Sequence, residues 1–293
     1  MMDNVSSSRA ISINPNYHER RGYDPTFLDV PVPLPTLSPA MLANAAENLQ
    51  ATEPDKYVLP YSHFSVVINK VRRLAYYTAV NIDGRQLLKL KRETDRWIYD
   101  PRIPKAYQMG AEIYKQNPLD LGHLVRRLDP AWGETEALAK VANDDTFHFT
   151  NCSPQHKNLN QNKTTWAGLE DYILDNAIAH DLKVSVFSGP LFATDDPIYR
   201  AVQIPQQYWK VVVMVKADGN LSATAYLLDQ SQLLVDLGTR GFEFGGYRMF
   251  QVLVETIEQA TGLQFDDLRE HDPLAGRRGL NEVEITTLAM IQF

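Results

Sequence analysis

From Tyr61 onward the chain alternates between short strand-like runs and longer segments of helical spacing. Tyr61–Ile68 and Arg73–Ile82 are rich in β-branched and aromatic residues, have Asn-Lys between them, and are followed by a turn signal at Asp83-Gly84. The same pattern predicts strands at Phe147–Asn151, Lys183–Ser188, Trp209–Lys216 and Leu221–Leu228. Helices are predicted at Glu134–Ala142, Thr164–His180 and Gly246–Gly262; Leu169, Tyr172, Ile173 and Asn176 share one helical face, and Gly262 suits a helix stop. Strand-rich halves joined by helices, without regular β-α alternation, predict an α+β layered domain with a mainly antiparallel central sheet flanked by helices.

The N-terminal fifth is different. Residues 1–60 hold eight of the 17 prolines, and the run DVPVPLPTLSPA alternates Pro with apolar residues, which favours extended chain over helix. The reading is a Pro-rich arm or linker over 1–56, with a short helix at Ala40–Gln50, and a compact domain over 57–293 whose apolar tail, Arg277–Phe293, docks on the body. The longest aliphatic run, Val211–Val215, is far short of the roughly 18 apolar residues of a membrane span. The first thirty residues lack the apolar core of a secretory signal, and the single Cys152 fits a reducing compartment, so the expectation is a cytoplasmic protein with no membrane partner. The net charge of −7 argues against a nucleic-acid partner, but Ile68–Arg102 holds nine bases against four acids; that band is +5 and the remainder −12. Polyanion binding follows local charge, so the band keeps such a partner open, as it keeps open an ordinary solvated strand pair.

Several chemistries are excluded by their motifs. No Cys/His spacing suits zinc, and there is no Gly-x-Ser-x-Gly elbow, phosphate-binding loop or dinucleotide fingerprint. Two segments remain: Asp120-Leu121-Gly122-His123, and Phe149–Gln155 followed by Asn160, Asn162, Trp166 and Leu169-Glu170. The first puts a His after a Gly, where the backbone can turn sharply to present the ring. The second is an Asn/Pro/Gln loop opening a helix that carries Glu. Imidazole, amide oxygen and carboxylate together can support a hard cation and a general base. Each piece has a plainer reading as well: a turn histidine, a common loop, and core residues at helical spacing.

Taken in order, these segments resemble the DNA/RNA non-specific endonucleases of the ββα-metal (His-Me finger) class, which includes endonuclease G. The family motif, Asp-Arg-Gly-His, then Thr/Ser-Asn-x-x-Pro-Gln, then Asn, Trp and Leu-Glu, is matched by Asp120–His123, Asn151–Gln155, Asn160, Trp166 and Leu169-Glu170. Flanking matches at Tyr77–Gly84, Trp97–Pro104, Val184–Phe192, Ile204–Val211 and Ile257–Leu268 extend the likeness over roughly residues 60–270. The resemblance implies a ββα-metal fold and metal-dependent cleavage of DNA and RNA with little sequence preference. It implies His123 as general base, Asn160 as the direct protein ligand of one Mg²⁺ (Mn²⁺ as substitute), Glu170 as the carboxylate holding a metal-bound water, and Asn151 as the amide that orients the site.

Two departures stand out. Leu121 replaces the family Arg, leaving Arg126, Arg127 and Arg96 as candidate phosphate-binding substitutes, or solvated surface charge. The interval from Asn160 to Trp166 is two residues longer than in the family, so Asn162 competes with Asn160 for the metal. Leu121 also supports the alternative of a catalytically weakened nucleic-acid-binding module; a phosphodiesterase for small nucleotides is a third reading. His148 and His156 bracket the site loop and are read as structural. The segment HERRGYDPTFLDVPVPLP distantly resembles leaders of bacterial relatives that accompany trypsin-like proteases in defence or toxin settings. It suggests cleavage after Arg20 or Arg21 in a flexible arm, relieving inhibition. Further candidate partners are an inhibitor protein and a second copy of the chain.

Overall fold

The computed structural model describes residues 10–52, 54–160, 166–234, 248–277 and 282–292. Twelve strands run in chain order among these residues: β1 (Leu59–Pro60), β2 (Phe64–Asn69), β3 (Leu74–Asp83), β4 (Leu119–His123), β5 (Cys152–His156), β6 (Lys183–Leu191), β7 (Ile198–Tyr199), β8 (Val202–Gln203), β9 (Gln207–Val215), β10 (Leu221–Asp229), β11 (Arg248–Val252) and β12 (Glu282–Glu284). The helices are α1 (Pro39–Asn44), α2 (Glu136–Asp145), α3 (Lys157–Asn160), α4 (Trp166–Ala179), α5 (Ser231–Leu234) and α6 (Val254–Thr261). Eight strands form one sheet in the order β1-β2-β3-β6-β9-β10-β11-β12, every neighbouring pair antiparallel.

Both faces of this sheet are covered, which is why its central strands are apolar almost without a break. Successive side chains point to opposite faces. Val66, Val80, Val186 and Val212 face one core, shared with Leu124, Leu169, Leu174 and Ala177. Val67, Ala79, Phe187, Val211 and Val213 face the other, shared with Ile257 of α6 and with Tyr23, Leu28 and Val32 from the Pro-rich segment. The site lies on the first face, where β4 and β5 pair antiparallel and α4 follows, a ββα unit laid on the sheet.

Two local expectations change. Phe147–Asn151 is not a strand: the Asn151 amide donates to the Thr146 carbonyl at 3.0 Å, closing a turn that extended chain cannot make, and the strand starts at Cys152. The segment expected as one helix over Gly246–Gly262 is β11 followed by α6, because the edge of β10 takes Arg248–Val252. Asp272, 18 residues away in sequence, then accepts from the Val254 N–H at 2.7 Å and caps α6, which ends at Gly262 in the left-handed region, φ 74°. The start expected for α4, Thr164, lies outside the described residues. The tail docks as expected: β12 adds to the sheet, and Ile285 and Ile291 are buried.

The Pro-rich segment is bound down along its length. Tyr17, Tyr23, Leu28, Val32, Ala45 and Ala46 are all in the two cores. Arg20 is buried, its guanidinium forming a two-pronged ion pair with Asp145 (2.6 and 2.7 Å), and only Arg21 of the basic pair is exposed. The expected flexible arm with an open dibasic site is therefore corrected. Among the described residues no helix is long and apolar enough to cross a membrane.

Candidate active site

His123 ends β4, opposite Cys152 of β5. Gly122, expected to make a turn, instead continues the strand. Its lack of a side chain matters for another reason: a Cβ there would sit 2.3–2.7 Å from the Gln155 side chain across the pair. Immediately after His123 the chain is pinned on both sides. Asn151, fully buried, accepts from the Val125 N–H (2.8 Å) and donates to the Val125 and Thr146 carbonyls (2.9 and 3.0 Å), while its own carbonyl accepts from Leu124 N–H (3.0 Å). The Leu124 carbonyl in turn accepts from Ser188 Oγ (3.0 Å) and Lys210 Nζ (3.4 Å) on the sheet beneath. Asn151 thus orients the site through the backbone and has its amide fully used.

The imidazole sits in an aromatic box. The Trp97 ring lies 4.5 Å from it and Phe147 meets it edge-on at 4.9 Å. Its Nε2 is buried without a hydrogen-bond partner. Burial drives the His123 pKa down to about 3; Asp95 opposes this, while Arg92, Arg127 and Arg126 add to it. The ring is therefore neutral over the physiological range, the form a general base requires.

His123 opens into a cleft of about 720 Å³ lined by Arg92, Asp95, Trp97, Asp120, Leu121, Arg126, Arg127, Leu128 and Glu170. Glu170, the fifth residue of α4, reaches the cleft from the opposite element and pairs with Lys210 Nζ at 3.1 Å. Arg126 pairs with Asp171 and keeps Nη1 buried without a hydrogen-bond partner. Arg127 is tied back, donating to the Leu90 carbonyl (3.1 Å) and Asn143 Oδ1 (3.2 Å). Arg96 is exposed and does not line the cleft; Arg92, held by Asp95 at 2.6 Å, takes that place on the rim. Much of the basic band is neutralised internally, with Arg72 on Asp196, Arg73 on Glu112 and Arg102 on Asp100. Asn160 closes α3 at the mouth of the ββα unit; its side chain, Asn162 and the Trp166 side chain lie outside the described residues.

The sequence reading missed three contributors. Asp129 is buried beside Arg126, accepting from its N–H at 3.3 Å; burial, then the nearby Glu170 charge, raise its pKa to about 7. Phe147 completes the His123 box. Lys210 is the one residue whose signal was visible, a lysine inside an otherwise apolar strand. His148 and His156 are structural as expected. His148 is fully buried between Tyr17 Oη (2.7 Å) and the Asp145 carbonyl (2.8 Å), and His156 Nδ1 accepts from Asn158 N–H at 3.2 Å.

The family model for DNA/RNA non-specific endonucleases matches residues 43–271, and the matched span carries every element of this cleft. The chain belongs to that family. The chain is 42% identical over 284 residues to the y4fB protein of Sinorhizobium fredii, covering 89% of this chain and 41% of that protein's length. It is 24% identical over 253 residues to a nuclease of Nostoc sp. (83% and 87% covered) and 31% identical over 183 residues to a nuclease of Serratia marcescens (58% and 61%). Among solved structures, EndoG in the crystal structure of the EndoG/EndoGI complex superposes with a TM-score of 0.58 at 19% identity, over 74% of this chain and 89% of that one. This likeness shows that the fold of the chain is the α+β, ββα-metal nuclease fold. The family is one of metal-dependent nucleases, hydrolases acting on nucleic acids.

Proposed function

We propose that this endonuclease hydrolyses phosphodiester bonds of DNA and RNA with little sequence preference, using His123 as general base. The observation that carries the reading is the boxed, neutral imidazole whose Nε2 lacks a partner, opening into the same cleft as Glu170 and Arg126. A water approaching the diester would give its proton to His123. Arg126 and Arg92 supply positive charge for the phosphate where the family Arg is Leu121; contacts of this kind grip the backbone and read no base.

The donor set suits a hard divalent cation. A cation such as Mg²⁺ takes oxygen ligands and keeps several of its waters, so few protein ligands suffice. Asn160, or Asn162 in its place, would hold Mg²⁺ or Mn²⁺, with Glu170, braced by Lys210, ordering its hydration water. Bound there, the cation neutralises charge building on the phosphate and the leaving 3′ oxygen.

Plasmid and RNA degradation with and without EDTA, beside His123→Ala, tests the reading. Cleavage that survives both would defeat it, and binding without any cleavage would favour the weakened binding module. Asn160→Ala against Asn162→Ala assigns the ligand; loss confined to the latter names Asn162. EndoG is bound by EndoGI in the solved complex, and an inhibitor protein is a fitting partner for this cleft too. The arm's resemblance supports a bacterial defence or toxin setting with a trypsin-like protease, which would meet the exposed Arg21 rather than the buried Arg20.

A further inference from the structure

We propose that the N-terminal segment is a working part of the active site, with Tyr17 and Arg20 as positioning residues that hold the 145–151 turn against His123; the proposal rests on the reading of His123 as general base.

The turn touches His123 from two directions. Phe147 meets its ring at 4.9 Å, and Asn151 fixes the backbone of Leu124 and Val125 directly after it. Trp97, the other wall of the box, is tied to the same turn: Ile98 N–H donates to the Phe147 carbonyl (3.0 Å) and Phe149 N–H to the Ile98 carbonyl (2.9 Å).

The other side of the turn rests on the N-terminal segment. Asp145, at the turn's start, takes both prongs of Arg20 as well as Ser62 N–H and Oγ (3.1 and 2.9 Å). The Arg20 fork is itself locked by the Asn14 and Asn16 carbonyls at 2.7 and 2.8 Å. His148, the next support, has Nδ1 against the Asp145 carbonyl. A carbonyl only accepts, so Nδ1 carries the proton and Nε2 accepts from Tyr17 Oη at 2.7 Å. The Tyr17 ring is sandwiched by the guanidinium groups of Arg20 (4.1 Å) and Arg102 (4.5 Å), and Arg102 continues to Asp100 and Tyr61, whose hydroxyl meets Thr150 Oγ1 at 2.7 Å. Tyr17, Arg20, Tyr61, Asp100, Arg102, Asp145, His148 and Thr150 are all buried and paired. Removing Arg20 leaves the Asp145 carboxylate buried with two weaker donors, and the turn must move to hydrate it.

The sign is the reverse of an inhibitory arm. No described residue before Arg92 lines the cleft, so the described part of the segment supports the base from behind. Detaching it lowers activity.

The test uses the full chain. Arg20→Ala and Tyr17→Phe are assayed for kcat and KM on DNA with Mg²⁺ at 25 °C, with circular dichroism confirming folded protein and His123→Ala run alongside. Displacement of a base by a fraction of an ångström to 1 Å reduces turnover on the order of 10- to 100-fold, so kcat for Arg20→Ala should fall in that range, and for Tyr17→Phe about 3- to 10-fold, with KM within about twofold. A support that is merely structural would lower Tm and leave kcat of the folded variants unchanged. If Arg20→Ala does not fold, Tyr17→Phe decides, because it removes one hydroxyl and keeps the ring. Wild-type kcat in folded Tyr17→Phe overturns the proposal, as does any rise in activity during limited tryptic cleavage at Arg21. Full activity in His123→Ala overturns instead the reading of the base on which it rests.

Discussion

At the scale of single residues, the chemistry follows from what burial does to two ionisable groups of opposite type. His123 is held neutral, so its stability contribution has a definite sign. The unfolded ring takes a proton near pH 6.5 and the folded ring only near 3, so the unfolded state binds more protons between those values. Stability from this group is present above pH 6.5 and declines as the pH falls toward 3. If His123 is the base, as proposed, activity needs the neutral ring, so a profile of kcat/KM against pH should show no His limb near 6.5 and should lose activity through this group only as the pH approaches about 3; a limb at 6.5 would mean a solvated ring. Asp129 runs the other way. Its folded pKa of about 7 lies above the unfolded 3.8, so its contribution is present below 3.8 and is lost as the pH rises through 7. Asp129→Asn keeps an acceptor for the Arg126 N–H and removes the buried charge. Thermal melts should show its advantage over wild type growing between about pH 4 and pH 7, larger at pH 8 than at pH 5 by on the order of 1–3 kcal/mol. Equal shifts at both pH values would show that Asp129 does not titrate in this range.

At the scale of elements, the ββα unit depends on how closely β4 and β5 approach. Gly122→Ala pushes a methyl into the buried Gln155 side chain, and either that side chain or the strand that carries His123 must shift. If the strand moves, DNA cleavage should drop at least about tenfold, with a stability loss of the size seen for overpacking by one methyl, about 1–3 kcal/mol; unchanged turnover would mean that Gln155 swings aside. The elements were unevenly legible. The strands β2, β3, β6, β9 and β10 and the helices α2 and α4 were visible because hydrophobic periodicity is a local property. The turn at Phe147–Asn151 was not, because its aromatic residues look like a strand and its closure depends on one amide reaching Thr146 and Val125. The β11–α6 boundary was hidden for a similar reason: the pairing edge and the cap both come from distant sequence. Gly122 was noticed for its backbone freedom, yet matters for the space it leaves.

At the scale of the whole molecule, charge is arranged by folding more than by sequence. The chain is acidic overall, and most cations of the Ile68–Arg102 band face carboxylates. The cations of the cleft are Arg92, Arg126 and Arg127, the last two from outside the band. Binding driven by a few such contacts should weaken steadily with salt. KM for DNA is expected to rise on the order of 10-fold between 50 and 200 mM salt, and Arg126→Ala should flatten that slope. A KM indifferent to salt would argue against phosphate contacts by these side chains. The Pro-rich segment, which composition sets apart, belongs energetically to the body: its tyrosines lie in both cores and its Arg20 completes a buried network.

What sequence alone determined was the class of fold, since periodicity and turn chemistry are carried along the chain, and its family motif named His123, Asn151 and Glu170 as candidates. What only the tertiary structure decided was the environment of those residues. The aromatic box and the unpartnered Nε2 of His123, the Lys210 brace on Glu170, the choice of Arg92 over Arg96, and the burial of Arg20 all arise between segments far apart in sequence. Desolvation and pairing depend on what surrounds a group in three dimensions, and no local pattern encodes that.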